Sequence, residues 1–141
     1  MNANDAKLTD LTTNQAGNGA GSSAPNAPAA ASFELVLAAV AGSNPGSCGA
    51  PYTLTISAID LIAVSQGWPT QTLHQSFAAA NGWKPSGSGP DYQCTHAVAV
   101  PVPGGGPGDP LAGHVLQCVA SLVSRGVQIV SIIRSDPFVL V

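Results

Sequence analysis

The chain of 141 residues has the length of one domain, and only 8% of it is charged, against roughly a quarter in ordinary soluble domains. Its four basic residues, Lys7, Lys84, Arg125 and Arg134, are scattered, so it lacks the cation cluster that displaces counterions from nucleic-acid phosphates or holds an anionic membrane surface. The longest apolar run, residues 35–41, is far short of the ~18 residues of a membrane-crossing helix, so the 45% hydrophobic fraction has to build a core.

With so few charges, the surface must consist mostly of Ser, Thr, Asn, Gln, Gly, Pro and Ala. A surface of that kind suits coverage by partner subunits better than life as a free monomer. The N-terminus lacks a basic stretch followed by an apolar one, which predicts synthesis in the cytoplasm without a secretory signal. Three cysteines, Cys48, Cys94 and Cys118, allow at most one internal disulfide. In a reducing compartment three thiols are expected.

Residues 1–31 read as a flexible arm. Residues 14–31 are nearly all Asn, Gly, Ser, Pro and Ala, without apolar periodicity, and do not offset the entropy of ordering alone. Such an arm either has no role or orders against a neighbour. A single β-rich domain is expected over 32–141. Residues 33–40 predict a strand, followed by a turn-rich segment. Tyr52, Leu54 and Ile56 alternate with Thr53 and Thr55, which predicts another strand. Ser57 and Asp60 have capping-box-like spacing, so a short helix toward Gly67 competes with continuation of the strand to Val64.

Leu73, Phe77 and Ala80 recur at helical spacing before Gly82, which predicts a helix over residues 70–81. In residues 92–102, Tyr92, Cys94, His96, Val98 and Val100 share one strand face. Pro101 and Pro103 place that strand at an edge or end it. Residues 109–126 fit two structures. Asp109 and Pro110 at a helix start, with Leu111, Val115, Cys118 and Leu122 on one stripe, argue for a helix over 109–125. The same residues, split at Ser124-Arg125-Gly126, argue for a hairpin from 115–123 to 127–133. A short last strand begins at Phe138. The fold class expected is mainly β: a compact, jelly-roll-like β-sandwich with one or two short helices. The alternative is an α+β fold with the 109–125 helix.

The arrangement closest to a chemical site is Cys94 and His96 on a strand face with His114 and Cys118. Two pairs of N and S donors suit tetrahedral zinc, but the Cys-x-His spacing is not that of a zinc knuckle. These four residues are therefore a weak candidate metal set, and no metal or other cofactor is expected. No enzyme is expected either. Side chains two apart on a strand lie parallel rather than bonded, so Cys94 and His96 do not make a nucleophile and base. The glycine-rich loop at 104–109 lacks the Lys and Ser/Thr of a phosphate loop. Trp68 and Trp83 read either as interface anchors or as core-edge packing against Phe77.

The Asn/Gly/Ala/Ser/Pro arm through Ala31, the β-rich body from Phe33, the scarcity of charge and the apolar end Phe138-Val139-Leu140-Val141 together resemble the capsid decoration, or cement, proteins of tailed bacteriophages. The resemblance implies a structural virion protein on the capsid exterior, made in the host cytoplasm. It would be a dimer or trimer that binds the major capsid protein and cements neighbouring subunits. A small tail or adhesion binding module and a Cys/His zinc domain are the alternatives.

Overall fold

A computed structural model describes the chain except for residues 1, 16–18, 22, 25–31, 64–67, 69, 88, 102, 104–112 and 141. In chain order the elements are β1 (Ala6–Gln15), β2 (Gly19–Gly21), β3 (Ser23–Ala24), β4 (Ser32–Ala41), α1 (Ser43–Cys48), β5 (Pro51–Asp60) and β6 (Gln71–Ser76). A 3-10 turn (Ala79–Asn81), β7 (Lys84–Pro85), β8 (Tyr92–Pro101), β9 (Val115–Ser124), β10 (Ile129–Arg134) and β11 (Phe138–Leu140) follow.

Period-two alternation gives each long strand one inward face. Leu35, Leu37 and Ala39 of β4 and Val98 and Val100 of β8 face Tyr52, Leu54 and Ile56 of β5 and Leu116, Cys118, Ala120 and Leu122 of β9 in one core. Each fully buried Leu or Ile contributes about 2 kcal/mol, so this layer dominates the stability. The first sheet runs β2-β1-β4-β8-β7. The second runs β3-β11-β9-β5-β6, with β10 also on β9. The chain is thus mainly β, a two-sheet sandwich with one short helix among the described residues, as its alternation predicts. Among the long strands, β1, β4 and β8 face β6, β5, β9 and β10. The chain therefore changes sheets between β4 and β5, between β6 and β8, and between β8 and β9.

The structure corrects the domain boundary at residue 32. Strand β1 pairs with β4 from Ala6↔Ala41 to Thr13↔Leu35, and Ala6, Leu8 and Leu11 enter the core. A register shift between Leu8 and Asp10 returns the inward face to Leu11. Leu8 N–H then donates to Ser131 Oγ of β10 at 2.9 Å, which links the two sheets along one margin. The residues before β1 are anchored too: Gly42 N–H donates to Asp5 O (2.8 Å) and Asn44 N–H to Ala3 O (2.9 Å). Residues 25–31 of the expected arm lie outside the described residues.

Two helices give way to strands. The helix expected over 70–81 is β6 followed by the 3-10 turn. Leu73 pairs with Leu54, and Phe77, just past the strand, is buried against Tyr52 and Trp83. Pairing with β5 satisfies backbone groups that a helix would satisfy internally, with Leu73 half-buried and Phe77 still buried beyond the strand end. The alternative helix over 109–125 is overturned from Val115 onward, because β9 and β10 form a hairpin around the turn at 125–128. Residues 109–112 lie outside the described residues. Strand β5 ends at Asp60, so a helix from Ser57 does not form.

Strands β10 and β11 occupy one flank of β9, separated by residues 135–137. Ser135 bridges the break. Its N–H donates to Cys118 O (2.8 Å) and its Oγ accepts from Cys118 N–H (2.9 Å). The ladder therefore continues past Pro137, which has no N–H to give.

Candidate interaction surface

The four residues singled out for metal binding are not assembled. Cys94 and His96 belong to the first sheet, while Cys118 lies in the second and His114 just before its strand. Among the described residues, no group of three His, Cys, Asp or Glu side chains is placed to hold a metal ion. Cys94 Sγ donates to Asn81 O at 3.3 Å, and burial pushes its thiol up to about 11. Burial pushes Cys118 up to about 12. His96 is shifted down by burial, toward the neutral ring, and its Nε2 is buried without a protein partner.

His114 pairs instead with Asp60, a buried residue absent from the candidate set: Nδ1 lies 2.7 Å from Oδ2. Burial raises the Asp60 pKa, but hydrogen bonds from Ala63 N–H, His114 and Ile62 N–H outweigh it and hold the carboxyl below its usual range. Trp83 is core packing, 5.1 Å from Phe77 between ring centroids. Trp68 packs edge-on against Phe33 at 6.3 Å, away from Phe77, with its Nε1 buried and unpartnered.

The feature most open to a partner is the outer face of the second sheet. With Tyr52, Leu54 and Ile56 turned inward, β5 presents Thr53, Thr55, Ser57 and Ile59 outward, and β9 presents Val119, Ser121 and Val123. On β10 the outward set is Val130, Ile132 and Arg134. Register aligns these into rows: His74, Thr53, Val123 and Val130 in one; Thr72, Thr55, Ser121 and Ile132 in the next; then Ser57, Val119 and Arg134. Val130 is 70% exposed and Ile132 65%. Large β-branched side chains at that exposure, side by side on one strand, form a continuous apolar strip, unlike the isolated surface hydrophobes of a typical monomer. None of the residues in these rows carries a negative charge. Val130 and Ile132 were missed in the sequence, although they share strand parity with Arg134, an outward-facing residue.

At one end of this face lies a groove of about 440 Å³, lined by Pro51, Tyr52, Thr53, Thr55, His74, Gln75, Val123, Arg125 and Gly126. The short threonines of the central strand form its floor, and side chains of the flanking strands and the 125–128 turn form its walls. On the inward side of the same strand pair, Trp83 Nε1–H donates to Tyr52 Oη (3.1 Å) and Tyr52 O–H donates to Gln75 Oε1 (2.8 Å). Burial, partly offset by the Trp83 bond, pushes the Tyr52 hydroxyl up to about 12, so it remains a donor. No protein-family model matches this chain, and no curated protein matches it in sequence.

Proposed function

We propose that this protein is a structural assembly subunit that docks other protein surfaces through the outer face of its second sheet and has no catalytic role. The observation that carries the proposal is the exposed strip of Val123, Val130 and Ile132, set among Thr and Ser without a carboxylate. Burying such a face costs little desolvation of charge and removes β-branched side chains from water. A four-stranded face at ~4.8 Å per strand, read over five or six residues, offers a few hundred square ångströms. Together with its rim it approaches the ~800 Å² per partner of a stable interface.

The specific form of the proposal is a capsid decoration protein, a homo-oligomer that cements neighbouring major capsid protein subunits on the virion exterior. The sparse charge of the whole chain supports it, as does a β-sandwich body. Four dispersed cations argue against nucleic acid as the partner.

The test is stoichiometry on purified particles together with Ile132→Lys. A cement protein is present in many copies per head, and the variant folds but no longer binds heads. A handful of copies at the tail, or unchanged binding by the variant, overturns the proposal.

A further inference from the structure

The groove at the end of the docking face has a chemistry of its own. Of its nine lining residues none is Asp or Glu, while one, Arg125, is a permanent cation. Around it stand the hydroxyls of Thr53 and Thr55 and the His74 ring. Thr53 Oγ1 and His74 Nδ1 stand 3.4 Å apart and steady each other across the strand pair. Pro51 and Val123 supply an apolar wall. The groove thus combines several donors, one positive charge and an apolar flank, with no competing anion.

We propose that this groove is a carboxylate-binding subsite. It accepts the side chain or terminal carboxylate of an extended acidic segment lying across β5. A guanidinium matches the planar fork of a carboxylate in two parallel hydrogen bonds. One guanidinium balances one negative charge, whereas a phosphate dianion calls for more than one cation. The hydroxyls of Thr53 and Thr55 fill the lone pairs that Arg125 leaves. The apolar wall takes the methylene stem of a glutamate or the residue beside it. The inference extends the docking-face proposal, since the subsite would choose among partners by an acidic residue at one fixed place. It is nonetheless measurable on the isolated chain, so the two stand or fall separately.

The experiment is a titration of the ¹⁵N-labelled full chain, followed by amide shifts. The probes are an acetylated and amidated Val-Glu-Val peptide, its Val-Gln-Val counterpart, propionate and inorganic phosphate. The Glu peptide is expected to give saturable shifts at Thr53, Thr55, Gln75 and Arg125, with affinity at least tenfold above that of the Gln peptide. Arg125→Gln should lose tenfold or more of that affinity. Arg134→Gln, outside the groove on the same face, should change it less than twofold. Propionate shifting the same amides as tightly as the peptide supports the subsite with a free small carboxylate as its ligand. Weaker binding of propionate supports a peptide-borne one. Equal binding of the Glu and Gln peptides, tighter binding of phosphate than of the Glu peptide, or no shifts in the groove overturns the proposal. Head binding by the Ile132→Lys variant is read independently and bears only on the docking face.

Discussion

His114 and Asp60 hold two neighbouring strands of the second sheet together at one end of the sandwich. His114 Nδ1 lies 2.7 Å from Asp60 Oδ2, and the other carboxylate oxygen accepts from Ile62 N–H (2.9 Å) and Ala63 N–H (2.8 Å). The carboxyl is buried, so burial alone would favour its neutral form, and these bonds reverse that preference. Because the folded-state pKa is depressed, the pairing contributes stability above the ordinary carboxylate value of about 3.9, and that contribution is lost as pH falls through the lower folded value. Asp60→Asn is therefore expected to lower stability at pH 7 by about 1–3 kcal/mol in denaturant melts. It should also flatten the acid limb: the native chain loses stability below about pH 4 more steeply than the variant. Parallel acid limbs would remove Asp60 from the account.

The three thiols differ in burial, and their reactivity should follow. Cys118 is fully buried, Cys94 is 2% exposed, and both are pushed up, to about 12 and about 11. Cys48 is exposed at the end of α1. Since the thiolate is the reacting species, a maleimide or disulfide reagent at pH 8 should label only Cys48 in the native protein. All three should be labelled in denaturant. Peptide mapping that finds Cys94 labelled under native conditions would mean that β8 opens from the sheet.

Gly46 tests how closely α1 packs on β8. A Cβ built there overlaps the ring of Tyr92, and Gly46 is itself buried. Gly46→Ala should cost about 1–3 kcal/mol through displacement of that ring. Gly126→Ala is the control, because its Cβ would meet only Ala50, at an ordinary 4.0 Å. Equal melting temperatures for the two variants would show that Tyr92 moves aside freely.

The parts of this fold that are legible in the sequence are those where alternation is unbroken. The alternating apolar set of Tyr52, Leu54 and Ile56 and that of Cys94, Val98 and Val100 read as strands because one side chain in two is apolar, and both sets are inward. Strand β8 also has the edge character that its prolines predict, since β7 covers only Tyr92 and Gln93. Strand β1 is hidden because the irregularity between Leu8 and Asp10 puts Leu8 and Leu11 three apart, which destroys the period. Strand β6 misleads for the opposite reason: Leu73 and Phe77 are four apart, as on a helix, but Phe77 belongs to the turn beyond the strand. The docking face is only half legible. Alternation separates Val130 and Ile132 from Ile129, but which set faces the core depends on where the first sheet lies. That is a long-range fact, set by β1 crossing beside β10 at Leu8 and Ser131. The Asp60–His114 pair is invisible for the same reason, being 54 residues apart in sequence.

Ser135 offers the most local test of how the second sheet is completed. Its Oγ accepts from Cys118 N–H at 2.9 Å and donates to Asp136 O at 2.9 Å, and the residue is 4% exposed. Ser135→Ala leaves Cys118 N–H buried without that acceptor, which should cost about 1–3 kcal/mol. The loss should be focused. The Ser135 N–H bond to Cys118 O survives in the variant, so β10 keeps its register, whereas β11, held to β9 among the described residues at Phe138↔Leu116 and Val139↔Val115, loses its nearest support. Hydrogen exchange should therefore quicken at Cys118 and in β11 well before the paired amides of β5. Uniform acceleration across both sheets would show instead that β11 unfolds only together with the core that Phe138 helps to fill.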